Sequence, residues 1–495
     1  MCIVSVKRKH RFYYYVKELI ILFVEVIFME KKTNKGVTIG YGLGSMVRVG
    51  ENLWGFYLSY FLVTVAGVSA AAAGTISGVA LLIASVACIF IGYISDNSKS
   101  PKGKRRPMMI ATILPCAVLM SLIFIKVDFG AGTTAYYAII CILFYIVYYG
   151  YLVPYDSLGA ELTVDYNART KIRSLCTVIL YVSVFVGGTL VMYVQLFFQN
   201  SGIGSEGSSW SYAVALVCAV PMLVFGFVAW KATAGKEVIE TAGEQKPKEN
   251  IFKSYLSVLK IKPFVGIAIW SLLYFIGNTI LAGSLVYFGV YVLGVSEASA
   301  STYFTISMVV TIIAAVPGNL LAGKIGKKNT LLAAMLFFAV VALVIFIKGP
   351  SGYIDGAIMS VAYGVTNSIA LICSYAMVYD VGELNEFVLG ENKTAAAIGT
   401  YTLGMGLAQA IGYSAIGYIL QFAGFNAETL EQSQKAITAI TWCETIIPLV
   451  FMIISGLVVM LLYKITPKNY KALVKALEAK KEGREYSTDG FKELL

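Results

Sequence analysis

The sequence predicts an all-α membrane protein in which twelve transmembrane helices form two six-helix bundles. Of its 495 residues, 58% are hydrophobic and only 14% are charged. The mean hydropathy is +0.75, too apolar for a soluble protein with one or two cores. Apolar runs long enough to cross a bilayer recur near 39–65, 70–95, 108–126, 134–158, 174–199, 209–231, 264–292, 298–323, 330–348, 353–379, 394–422 and 437–463. A polar connection at 232–262 divides these twelve runs six and six, which suggests a repeated bundle.

Taken in order, residues 1–38 form an N-terminal extension. Its apolar stretch is interrupted by Lys17, Glu18 and Glu25 and no small-residue cleavage site follows, so it is not counted as a span; Met29, ahead of EKKTNKG, is an alternative start. The first bundle covers 39–231, the linker 232–262, the second bundle 263–463 and a tail 464–495. Charge sets the expected orientation. The turn after span 2 carries Lys99, Lys102, Lys104, Arg105 and Arg106, and the turn after span 8 carries Lys324, Lys327 and Lys328. The stretch from Lys231 to Lys262 has seven lysines against four glutamates, whereas the alternate loops hold only Lys126, Lys348 and Lys435. Basic residues mark the cytoplasmic side, so both termini are expected in the cytoplasm of a multi-pass inner-membrane protein. The tail is expected to be solvated or, at YKALVKALEAKKE, to lie along a surface.

The same pattern excludes other classes. The formal charge of +11 sits in short loops between apolar runs rather than in a polar domain, which argues for membrane topology and against a nucleic-acid partner. Seven of the eight cysteines lie inside apolar runs without CxxC or histidine pairing, so neither a disulfide framework nor a metal site is indicated. The single histidine, His10, is in the extension, which leaves the membrane portion without the commonest proton-relay side chain. No GxxxxGK[ST] loop and no soluble catalytic domain are present. A transporter driven by a gradient is therefore expected rather than an enzyme, with no cofactor and with a small-molecule substrate, protons and the lipid bilayer as partners.

Ionisable residues inside spans are costly and generally line an interior path. Arg48 and Glu51 stand three apart near the middle of span 1, hence on one helical face. They are candidates for a substrate or proton site, the alternative being a structural ion pair. Asn52 offers a hydrogen-bond partner, and Trp54 offers either a stacking face or packing. Span 7 adds Tyr274 and Asn278 near Trp270, where sugars would find aromatic faces and planar hydrogen-bonding groups, although tyrosines also belong to interfacial belts. Glu444 in span 12 is the other carboxylate candidate; its alternative is a water-facing position at the helix end.

Internal echoes connect the two halves: GYISDNSKSPKGKRRP at 92–107 with GNLLAGKIGKKN at 318–329, and VPYDSLGAEL at 153–162 with MVYDVGELNE at 377–386. A duplicated six-helix unit with its basic turn after the second helix resembles the major facilitator fold. YGLGS at 41–45, GVSAAAAGT at 67–75, GYISDNSKSPKGKRRP, PYDSLGAELTVDYNART at 154–170, KPF at 262–264, GSLVYFGVYVLG at 283–294 and YDVGELNEFVLGENKTAAA at 379–397 are similar to the glycoside-pentoside-hexuronide:cation symporters, the family of the melibiose carrier. The resemblance implies alternating access and a glycoside or sugar acid as substrate.

It also defines the departures. The two cation-binding aspartate positions of span 2 fall on Ala84 and Cys88, the helix 1 acid on Val49, the helix 4 sugar-binding acid on Leu152 and the aromatic one turn on at Asp156. The helix 5 arginine falls on Thr177 and the helix 11 lysine on Gly406. Alanine, cysteine and valine supply no oxygen ligands, so the family's sodium site is not carried over and proton coupling or uniport is expected. Asp96 with Arg105 and Arg106 resembles the fold's cytoplasmic gate motif. Asp156 and Glu161 with Arg169, and Asp380, Glu383 and Glu386 with Lys393, suit cytoplasmic charge locks between the bundles, the alternative for Asp156 being the substrate path. Two other functions stay open: a facilitator or exchanger of an amphipathic or anionic solute anchored by Arg48, and a membrane sensor that no longer transports.

Overall fold

The computed structural model describes residues 35–494 except 97, 99, 102, 163–165, 237–257 and 391–393, with backbone alone at 35, 96, 160, 166–171, 206, 389 and 394–396. The N-terminal extension before residue 35 and most of the linker lie outside the described residues. Among the described residues, eleven helices are long and apolar enough to cross a membrane: Ala70–Ser95, Arg106–Ile123, Gly130–Gly159, Ile172–Asn200, Gly207–Ala232, Lys262–Val292, Glu297–Ile325, Lys327–Lys348, Gly352–Val388, Ala397–Ala423 and Gln434–Leu462. They are spans 2 to 12.

Span 1, residues 35–65, completes the set in a different form. It is helical throughout but changes pitch, from α at Lys35–Leu43 to a 3-10 turn at Gly44–Arg48, α again at Val49–Leu53, and π turns at Trp54–Leu58 and Phe61–Val65. Its glycines permit close approach. A Cβ on Gly44 would meet Ala229 and Tyr155 at 2.6 Å, and one on Gly50 would meet Met222 at 2.8 Å. Further π turns interrupt span 5 (Val186–Leu190), span 6 (Ala215–Ala219) and span 7 (Phe288–Val292). Such wide turns re-aim the side chains that follow, and they recur at functional sites.

The most extensive contact in the molecule joins spans 2 and 11 across the two halves. Small residues make it possible. A Cβ on Gly74 would stand 2.8 Å from the Ser414 carbonyl and 2.9 Å from the Gly417 Cα, and one on Gly417 would clash with the Ala70 carbonyl. Among the described residues, the hydrogen bonds that cross between the halves lie toward this end. They include Ser59 with Tyr287 (3.3 Å), Tyr60 to Glu297 (2.5 Å), Thr75 with Tyr418 (3.0 Å), Ser414 to the Gly74 carbonyl (3.3 Å), Thr189 to the Ser301 carbonyl (2.9 Å) and Thr189 with Thr305 (2.7 Å). The end that carries the basic turns is held instead by contacts inside each half.

Two features differ from the sequence expectation. Span 10 continues to residue 388, so Asp380, Glu383 and Glu386 sit on a protruding helix of 37 residues, about 55 Å long against a hydrocarbon core of about 30 Å. The tail is not merely solvated. Thr466 forms a capping box at the start of the helix Pro467–Lys481, which buries Leu473, Ala476 and Leu477. Lys480 donates to the Phe387 carbonyl (2.8 Å) and Lys481 pairs with Glu386 (2.7 Å), which docks the tail helix on the end of span 10.

Candidate functional site

Arg48 closes the 3-10 turn of span 1, and that turn aims it at span 4. Its Nη2 donates to Asp156 Oδ2 at 2.7 Å, and its Nη1 is 3.6 Å from Glu51 Oε2. The Tyr148 hydroxyl donates to the same Glu51 oxygen at 3.2 Å. Arg173 of span 5 stands 3.9 Å from Asp156 Oδ1 and donates to the Asp156 carbonyl at 3.3 Å. Two arginines and two carboxylates therefore balance. They are not sealed in, since the side chains of Arg48, Glu51 and Asp156 are 24%, 41% and 39% exposed. The Tyr413 hydroxyl of span 11 stands beside Gly55, one turn beyond Glu51, so this stretch of span 1 faces the opposite half. Ion pairs reached by water exchange partners at little cost, whereas a dry pair does not.

This geometry sorts the expected residues anew. Asp156 joins Arg48 rather than forming a lock to the other half, because it lies five residues before the end of its helix Thr133–Glu161 and faces span 1. Asn52 donates to Ser183 Oγ of span 5 at 3.0 Å. Trp54 is packing: it is buried, with ring centroids 4.2 Å from Tyr145 and 6.1 Å from Phe144. In span 7, Trp270 and Tyr274 stack at 5.0 Å and are both buried. Glu444 belongs to neither group. It is fully buried in the second half and accepts a hydrogen bond from Ser284 Oγ at 2.9 Å.

At the basic end, Arg105 donates to Glu161 Oε1 through Nε (3.0 Å) and Nη2 (2.9 Å), and to Ser95 Oγ through Nη1 (3.2 Å). Arg106 donates to the Trp230 carbonyl at 2.9 Å and lies 4.9 Å above the Trp230 ring. Asp380 holds Lys327 at 2.6 Å and accepts from the Tyr463 hydroxyl at 3.1 Å. In this state both Asp156 and Asp380 take their cation from their own half. The Asp96 side chain, the Arg169 side chain and Lys393 lie outside the described residues.

In span 2, Ala84 is fully buried and Cys88 is partly exposed. On span 11, Gly406 leaves room for Ser85, whose Oγ would be 2.7 Å from a Cβ there. Sequence reasoning missed Ser284, Tyr148 and Lys327 as partners. Of these, only Lys327 had a signal, as a member of the second basic turn.

A helical membrane protein with two related halves, closed together at one end and presenting a wet charge cluster between them, is a transporter of the major facilitator type. The chain belongs to the family described as MFS/sugar transport protein, which it matches over residues 40–467, and within it to the glycoside-pentoside-hexuronide:cation symporters. It is 26% identical to the glucuronide carrier protein homolog of Escherichia coli (strain K12), over 92% of this chain and 98% of that one. It is also 26% identical to the isoprimeverose transporter of Lactiplantibacillus pentosus, over 84% and 86%. Among solved structures, the fold is shared with a D-xylose-proton symporter (TM-score 0.58, 16% identity, 85% and 96% coverage). It is shared as well with a bacterial homolog to the human lysosomal transporter Spinster (TM-score 0.63, 14% identity, 87% and 96%).

Proposed function

We propose that the protein carries a glycoside or sugar acid across the cytoplasmic membrane by alternating access, driven by a proton gradient. The observation that carries this reading is the Arg48–Asp156–Glu51 cluster, part-exposed in the middle of span 1, on a stretch that faces the second half. A sugar carboxylate would compete with Asp156 for the Arg48 fork, and sugar hydroxyls would donate to the carboxylates so released. Relatives whose names specify a glucuronide carrier and an isoprimeverose transporter support the substrate class.

Proton coupling follows from span 2, where Ala84 and Cys88 bring no oxygen to a sodium site. Glu51, exposed to the cavity and next to Arg48, is the carboxyl placed to exchange a proton with water. The basic turns place their end of the molecule in the cytoplasm, with both termini on that side. With the opposite end closed by the Gly74–Gly417 approach, the structure is then the inward-facing state.

The test is exchange of a labelled methyl β-glucuronide in proteoliposomes at equal pH, then accumulation under an imposed proton gradient. Exchange without accumulation would favour the facilitator or exchanger reading. Absence of both, across a panel of glucuronides, neutral glycosides and lysolipids, would leave the sensor reading.

A further inference from the structure

Three acids among the described residues expose less than a tenth of their surface: Asp355, Asp380 and Glu444. Asp355 holds Lys348 at 2.8 Å and Asp380 holds Lys327 at 2.6 Å. Glu444 holds no cation. Its Oε1 accepts from Ser284, and its Oε2 has no partner at all.

The surroundings on each element are neutral. Span 7 presents Ser284, span 10 presents Tyr363, and the broken helix itself presents Cys443 and Thr445. A carboxylate placed there would be an unpaired charge in a dry site, one of the costliest arrangements a protein interior can hold. A neutral carboxylic acid fits instead, since one oxygen accepts from Ser284 and the other carries hydrogen.

The backbone at this point is also unusual. Span 12 is interrupted between Gln434–Glu444 and Ile446–Leu462, with Thr445 at φ −117° and ψ −75°. Pro448 explains the break: it has no N–H for the Glu444 carbonyl and its ring clashes with that carbonyl. Discontinuous helices are where transporters of several folds place their coupling ions.

Tyr413 of span 11 lies between this site and span 1: its ring is beside Gly283, the neighbour of Ser284, and its hydroxyl is beside Gly55, one turn from Glu51. A phenol accepts one proton and passes on its own, so Tyr413 stands where it could relay a proton from Glu444 toward the exposed Glu51, with the charge left on Glu444.

We propose that Glu444, at the break in span 12, is the site that stores the coupling proton, and that Glu51 is its port to the cavity. The proposal rests on the reading of the chain as a gradient-driven transporter. It places the stored proton in the half opposite the Arg48 cluster, so that substrate and proton are bound by different bundles and are linked only through the conformational change.

Two arms test it on the full chain reconstituted in lipid. Infrared difference spectra between mildly acidic and alkaline buffer report protonated carboxylic acids by their carbonyl stretch. The wild type should show this band at neutral pH, Glu444→Gln should lose it, and Ser284→Ala, which keeps the acid but removes its donor, should shift it. The second arm uses labelled methyl β-glucuronide. Glu444→Gln should lose accumulation driven by a proton gradient and retain exchange at equal pH, and Tyr413→Phe should slow accumulation while leaving the infrared band in place.

An unchanged band in Glu444→Gln, or accumulation undiminished in that variant, overturns the assignment, as does accumulation driven by sodium. If the wild type neither exchanges nor accumulates the glucuronide, the transport reading of this substrate fails separately, and the infrared arm still decides where the proton is held.

Discussion

The two bundles each contain a carboxyl group deep in a helix, but they treat it in opposite ways. In the first half, Glu51 and Asp156 are 41% and 39% exposed and share Arg48 and Arg173. In the second half, Glu444 is fully buried, with a single serine for a partner. Charge that water can reach is replaceable, because a ligand supplies the same interactions that water and the neighbouring ions supplied. Charge that water cannot reach is prohibitive, so the buried acid is suited to holding hydrogen. The contrast assigns solute recognition to the first bundle and the stored proton to the second.

On solute binding, the largest expected effect strikes the first region. Arg48→Ala removes the guanidinium that links Glu51 and Asp156 and with it the proposed anchor for an anionic sugar. A hydrogen bond to a charged group contributes about 1.5–3 kcal/mol, so affinity for a glucuronide should fall about 10- to 150-fold. Equilibrium binding by calorimetry measures this. A neutral glycoside should lose much less, and equal losses for both would mean that Arg48 holds the bundle together rather than the solute.

On stability the largest effect belongs to Lys327→Ala in the second half, which leaves Asp380 buried without its cation. Breaking a buried pair costs about 3–5 kcal/mol; the low end applies because Lys327 is 33% exposed and Tyr463 still donates to Asp380. Thermal unfolding of the purified protein should show a clear loss that Lys327→Ala/Asp380→Asn largely restores. The matching change in the wet cluster, Arg173→Ala, should leave thermal stability nearly unchanged, since its contact with Asp156 is long and its side chain is 52% exposed.

A third variant sharpens the comparison by moving the halves. Gly417→Val forces a side chain into the Ala70 carbonyl and the Gly74 backbone. Overpacking costs about 1–3 kcal/mol, and since the clash exists only while this end is closed, the balance should shift about 5- to 150-fold toward its opening. A cysteine placed at Thr75 in a cysteine-free background should then react faster with an impermeant reagent from outside. The smallest effect belongs to Trp54→Phe, which keeps the packing against Tyr145 and drops an indole N–H that has no partner. Transport should change by less than about twofold, in keeping with the modest cost of volume-conserving swaps.

These regions were not equally legible in the sequence. Spans and orientation signals follow from hydropathy and from basic turns, which are local properties. The Arg48–Glu51 pair follows from its spacing on one helix. The Asp156 partnership does not, because it depends on how span 1 packs on span 4 and on a 3-10 turn that rotates Arg48. The burial of Glu444 was hidden for another reason: the position lies near the end of an apolar run, where burial and exposure look alike in composition. Pro448, four residues on, was the signal that the helix breaks there. The docking of the tail was similarly invisible, since the lysines that reach Phe387 and Glu386 look like an ordinary solvated face.

The account stands most directly on ion coupling, because the division of roles between the bundles requires a proton and no metal ion. Proteoliposomes containing the wild-type protein and labelled methyl β-glucuronide should accumulate the solute under an inward proton gradient in sodium-free buffer. An inward sodium gradient at equal pH should produce no accumulation. Accumulation under sodium, with no response to the proton gradient, would contradict the account, since it would require a metal site built from residues other than Ala84 and Cys88 and would leave Glu444 without a coupling role.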